Sequence, residues 1–139
     1  MRASAALLLL LLAACGNESR PPLVATDIEI TAAVPGSNMS AGYLSLTNNS
    51  SDSISVTRVV SPSFEAVEIH TSSIENGISK MRRADQLMIS AGSTTTLQRG
   101  GIHLMLMRPT GNSANVSLSF YDHETLLLTV DAAITPRKN

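Results

Sequence analysis

The chain has 139 residues, 43% hydrophobic and 15% charged, with a formal net charge of −1, one cysteine and no tryptophan. That length holds one domain, its apolar content can build a core, and its weak charge excludes a basic nucleic-acid surface or a polybasic membrane patch. A single cysteine excludes an internal disulfide and a cysteine zinc site, whereas six methionines are an excess that needs a reason.

Residues 1–14 carry one early charge, Arg2, and then an apolar run too short to span a bilayer, which needs about 20 residues. The run ends in Leu12-Ala13-Ala14-Cys15, which resembles the lipobox of bacterial lipoproteins. This resemblance implies a signal peptide over 1–14 and lipidation of Cys15, so that the only thiol is an anchor and not a metal ligand. Residues 15–23, with Pro21-Pro22, read as the lipidated cysteine and an extended polar tether. The domain is expected over 24–139, outside the cytoplasm and held to a membrane through the lipid only.

From there the chain reads as strands. Short β-branched runs at 28–34, 42–47, 54–60, 66–72, 78–83, 94–98, 102–107, 115–120 and 126–133, with a brief one at 87–89, are divided by turn clusters. The pattern predicts an all-β sandwich or barrel.

Two turns predict where side chains point. Asn76-Gly77 suits a type I′ hairpin. A two-residue loop there pairs Glu75 with Ile78, Ser72 with Met81 and His70 with Arg83, making His70 and Met81 diagonal neighbours on one face. Gly100-Gly101 allows a second hairpin pairing Gln98 with His103, Thr96 with Met105 and Thr94 with Met107. Leu97, Ile102, Leu104 and Leu106 then form a core face. His103, Met105 and Met107 share the opposite one. Met107 is open to a supporting role or to packing; Met88, between Leu87 and Ile89, is expected to pack. His123, in Asp122-His123-Glu124, reads as a solvated turn, with a secondary Cu(II) site as the alternative. Met39 has no assigned role.

Four of the five internal methionines fall within 27 residues (81–107), beside His70 and His103. Thioethers select soft Cu(I), and imidazole accepts several oxidation states. Two of each make a neutral site suited to a soft monovalent cation. Blue-copper electron transfer needs a cysteine thiolate, and only Cys15 is present, so an electron carrier is excluded. No Gly-x-Ser-x-Gly elbow supports a hydrolase, and no enzyme is expected.

His70, ten residues, Met81, twenty-one residues, then His103-x-Met105, flanked by Val67-Glu68-Ile69-His70 and Gly100-Gly101-Ile102-His103-Leu104-Met105, is the pattern of a known family. The chain resembles the periplasmic copper chaperones of the PCuAC type from about residue 28 to 134. The resemblance implies a cupredoxin-like Greek-key β-sandwich or barrel and Cu(I) held by His70, Met81, His103 and Met105. It implies delivery to the copper A centre of cytochrome c oxidase, beside a Sco-type thiol partner. Two departures stand out: Thr71 occupies a position that is Met in many members, and the connection at 109–114 is shorter. A lipoprotein that only sequesters copper for tolerance is the alternative.

Overall fold

The computed structural model describes residues 21–33 and 35–136. The expected signal peptide and Cys15 lie outside them. Eleven strands follow in order: β1 (Leu23–Thr31), β2 (Met39–Asn48), β3 (Ile54–Val56), β4 (Arg58–Val60), β5 (Phe64–Glu75), β6 (Ile78–Ala84), β7 (Leu87–Ile89), β8 (Thr94–Leu97), β9 (Ile102–Pro109), β10 (Asn115–Asp122) and β11 (Thr125–Thr135). The all-β expectation holds, and the described residues contain no helix.

Neighbouring strands run β1-β11-β10-β4-β5-β9-β2, and β2 pairs back onto β1. Seven strands therefore close into a barrel, which removes the unpaired edges an open sheet would expose. Among the described residues only the β1–β11 pair is parallel. The interior is filled by one face of each strand: Ile30, Leu44, Leu46, Leu104, Leu106, Leu118 and Phe120 are almost fully buried. Along β2 the alternation is unbroken, with Ser40, Gly42, Leu44, Leu46 and Asn48 inward. Asn48 ends that strand with its amide satisfied, donating to the carbonyls of Asp52 at 2.8 Å and Ile89 at 3.0 Å.

Several strands differ from the sequence expectation, each for a local reason. β1 starts at Leu23, ahead of 28, because Leu23–Thr26 already pair with Ser45–Asn48; Asp27, with a φ of 54°, then shifts the register between Thr26 and Glu29. That bulge breaks the two-residue alternation. Val34, the expected end of this strand, lies outside the described residues. The run 54–60 divides at Thr57. β3 joins β7 in a small separate sheet, while β4 enters the barrel between β10 and β5. Met88 does not pack as expected. On β7 it alternates with buried Leu87 and Ile89, pairs with Ser55 and is 51% exposed.

The largest correction concerns 94–107. β8 and β9 do not pair as a hairpin. β1 runs along one edge of β2, and the other edge carries β9 against Met39–Gly42 and β8 against Leu44–Thr47. The two strands lie end to end, joined by a loop in which Gly101 N–H donates to the Gln98 carbonyl at 3.1 Å. Gly100 has a φ of 75°, but Gly101 is not in the left-handed region. A type I′ turn needs both, and here the pair makes a loop within a continuing strand. The faces survive the change of partner: Leu97, Leu104 and Leu106 are buried inward, and His103, Met105 and Met107 lie on the other side.

Gly42 faces the core at the β2–β9 pairing. A Cβ there would sit 3.1 Å from Ile30 Cδ1, 3.2 Å from Leu104 Cβ and 3.3 Å from Leu106 Cδ1. Gly42→Val overpacks this point and should lower stability by about 1–3 kcal/mol. Urea unfolding should show a lower midpoint with an unchanged slope; an unchanged midpoint would contradict the packing.

Candidate metal centre

The Asn76-Gly77 hairpin forms as expected. Asn76 and Gly77 have φ values of 53° and 78°, and the register runs Glu75 to Ile78, Ser72 to Met81 and His70 to Arg83. On its other side β5 pairs with β9, placing His70 opposite His103 and Glu68 opposite Met105. Directly opposed residues point to one side of a sheet. Across β6, β5, β9 and β2, one outward face therefore carries Met81, then Glu68 and His70, then His103 and Met105, then Ala41 and Tyr43.

Tyr43, Met81, His103 and Met105 line a common depression of about 300 Å³, with Met39 at its margin. His103 is only 5% exposed and Met81 is 52% exposed. The depression thus has an imidazole floor and a thioether rim. The Tyr43 and His103 ring centres are 6.5 Å apart. Arg99 stacks 4.5 Å over the Tyr43 ring and pairs with Glu29 at 2.8 Å. This pins the aromatic wall behind His103.

Hydrogen bonds fix which nitrogen each imidazole offers. His103 Nδ1 lies 3.0 Å from the Gly101 carbonyl, which can only accept. Nδ1 carries the proton, and in the neutral ring Nε2 keeps its lone pair. His70 is arranged the other way: its Nε2 donates to Glu68 Oε2 at 2.9 Å. Its Nδ1 is buried and has no hydrogen-bond partner among the described residues. Glu68 is itself held by Arg83 at 3.1 Å. The hydrogen bond from His70 is the main cause holding the Glu68 carboxyl below its ordinary range; partial burial opposes it, and the Arg83 charge reinforces it. An ionised carboxylate behind an imidazole is the usual outer support of a metal-binding histidine.

The ring centres of His70 and His103 are 6.1 Å apart. Two imidazoles bound to one ion through bonds of about 2.0–2.1 Å place their centres roughly 5.2 Å apart at a tetrahedral angle and roughly 6.4 Å apart near linearity. The observed spacing lies inside that interval, nearer its linear limit, and is compatible with one ion between the two rings. Among the described residues no three His, Cys, Asp or Glu side chains form a metal-binding group; the sulfur donors on this face are Met81 and Met105.

His70, Met81, His103 and Met105 thus share one face, and the last three of them, but not His70, line the depression. Met107 shares the face, opposite Ala66 and Met39, but does not line the depression. His123 lies apart at the β10–β11 turn, its side chain 85% exposed and bonded to Asp122 Oδ1 at 2.7 Å. Glu68, Tyr43 and the Gly101 carbonyl were not anticipated. Glu68 had a readable signal: two residues before His70 on a strand, it shares that face.

Solved structures with this fold include a copper-bound PCuAC domain from PmoF2, with a TM-score of 0.67 and 18% identity, covering 84% of this chain and 94% of that one. CuI-DR1885 from Deinococcus radiodurans superposes with a TM-score of 0.66 at 27% identity, covering 86% and 82%. The chain thus shares the cupredoxin-like fold of these PCuAC domains. Residues 23–132 match the family described as "Putative lipoprotein LpqE-like", and the chain belongs to that family. A protein of Leifsonia xyli subsp. xyli named "Putative lipoprotein Lxx21020" is 32% identical over 96 residues, 65% of this chain; the match spans 58% of that relative's length.

The ring protonation can be tested in the metal-free protein. Long-range ¹⁵N–¹H correlation spectra should show His70 protonated at Nε2 and His103 at Nδ1. Glu68→Leu should release only His70 into a mixture of forms, while Glu68→Gln, whose carbonyl still accepts, should keep it. The same ring state in all three proteins would contradict the assigned hydrogen bond.

Proposed function

We propose that this protein is an extracytoplasmic carrier of Cu(I), holding the ion through His70 Nδ1, His103 Nε2 and the thioethers of Met81 and Met105. The observation that carries this reading is the buried His70 Nδ1 with no partner, opposite a His103 whose Nδ1 is already used. A buried polar atom left unpaired costs about 1–3 kcal/mol, and a bound ion would relieve it. Two imidazoles and two thioethers form a neutral, soft set that matches a monovalent soft cation and gives hard divalent ions little.

The outward position suits transfer. Met81 sits half exposed on the β5–β6 hairpin, where a thioether can be exchanged for an acceptor's ligand while the less exposed imidazoles still hold the ion. The copper-bound relatives support copper as the cargo. The lipoprotein family supports an anchored chain. In this account residues 1–14 are the leader and Cys15 carries the lipid, on the periplasmic side of a bacterial membrane; the tether expected over 15–23 stops short of Leu23, which is buried in β1 and so begins the carrier domain. The proposed destination is respiratory oxidase assembly, at the copper A centre of cytochrome c oxidase, with a Sco-type thiol partner. The role is carriage, with no catalysed reaction.

Titration with Cu(I) against a competing chelator should give one tight equivalent. His103→Ala or Met105→Ala should weaken it by more than the 10–100-fold typical of losing an outer partner; unchanged affinity in both variants would reject the site. Deleting the gene should lower oxidase activity under copper limitation. Normal oxidase activity with new copper sensitivity would instead favour sequestration.

A further inference from the structure

Two methionines on the same face are not used by the four-donor set. Met107 follows Met105 by two residues, so it leaves the same side of β9 roughly 7 Å further along. Its direct partner on β2 is Met39. The register at this end is held by Arg108 N–H donating to the Asn38 carbonyl at 2.8 Å, while Met39 N–H donates locally to Ser37 Oγ at 3.2 Å. The neighbouring positions are small. Ala66 flanks Met107 on β5, and Ala41 lies opposite Met105 on β2, which leaves room above the sheet for long side chains. Met39 is 50% exposed and lines the same depression as Met81, His103 and Met105.

Directly opposed strand residues have Cα atoms about 4.5–5.5 Å apart. Methionine has three rotatable side-chain bonds, so two such arms can bring both sulfurs to one ion at bonds of about 2.3 Å, judged by metal–sulfur distances. Two neutral thioethers with no imidazole hold a soft monovalent ion more weakly than the mixed set and discriminate strongly against hard ions.

We infer that Met39 and Met107 form a second soft-metal site, a two-thioether landing position for Cu(I) or Ag(I) beside the four-donor centre. The ion passes inward by ligand exchange: a bond to Met105 sulfur forms as a bond to Met39 or Met107 breaks, with no change of oxidation state and no proton moved. The landing role rests on the carrier reading above; the thioether site itself stands on the Met39–Met107 register alone.

The test is Ag(I) titration of the full chain in detergent, labelled with ¹³C at the methionine methyls, followed by ¹H–¹³C spectra. The first equivalent should shift Met81 and Met105, and the second should shift Met39 and Met107 together. Met88, equally exposed but opposite Ser55, should move with neither. The Met39→Leu, Met107→Leu double variant keeps apolar volume and should lose the second equivalent while binding the first unchanged. The proposal is overturned if Met39 and Met107 stay still through the second equivalent. It is also overturned if they shift together with Met81 and Met105 at the first equivalent, if Met88 shifts as they do, or if the double variant retains the second equivalent. Movement of Met39 and Met107 without Met81 and Met105 would uphold this site and reject the four-donor reading instead.

Discussion

Everything at the candidate site depends on the alternation of β9 between two partners. Leu104 and Leu106 are completely buried in the barrel, and their burial forces His103, Met105 and Met107 outward. β5 on one side and β2 on the other then set what those side chains face. A slip of one residue would bury the methionines and expose the leucines, so the core guards the register of the site. Gly42 belongs to the same device, since its missing side chain lets β2 lie close over Leu104 and Leu106.

The protein's second device is the orientation of its imidazoles. The two histidines present different nitrogens because they rest on different acceptors: a backbone carbonyl for His103 and a carboxylate for His70. The carboxylate is balanced by Arg83, which leaves the outer support close to neutral. Thioethers add no charge. Together these features favour a monovalent guest, because a neutral donor set gains less from a divalent ion than carboxylates or thiolates would. The site combines a rigid half, built into paired strands and shielded by Tyr43, with a more open half at Met81 on the hairpin arm.

Much of this was legible in the residues. Alternation and turn chemistry were enough for an all-β chain and for the β5–β6 register, because Asn76-Gly77 fits one tight turn. The same count failed at Gly100-Gly101. Glycine pairs permit a hairpin without requiring one, and the long free edge of β2 accepted β8 and β9 in succession. The outward face of His103 and Met105 survived that error because side-chain alternation belongs to the strand and not to its partner. What could not be read was the third dimension. The pairing of His70 with His103 joins β5 to β9 across the intervening β6, β7 and β8, a long-range contact that no local pattern encodes. Met88 was misjudged because a strand of three residues shows too little alternation to reveal which side its centre faces. Met39 gained a setting only once β2 was seen lying against β9.

The central claim is that one ion is held by two imidazole nitrogens and two thioether sulfurs. X-ray absorption at the copper edge of the protein loaded with one equivalent of Cu(I) tests it directly. The account predicts a Cu(I) edge with two nitrogen scatterers near 2.0–2.1 Å and two sulfur scatterers at about 2.3 Å, on the scale of imidazole and sulfur bonds to similar ions. A shell of nitrogen and oxygen alone, or of sulfur alone, would contradict it.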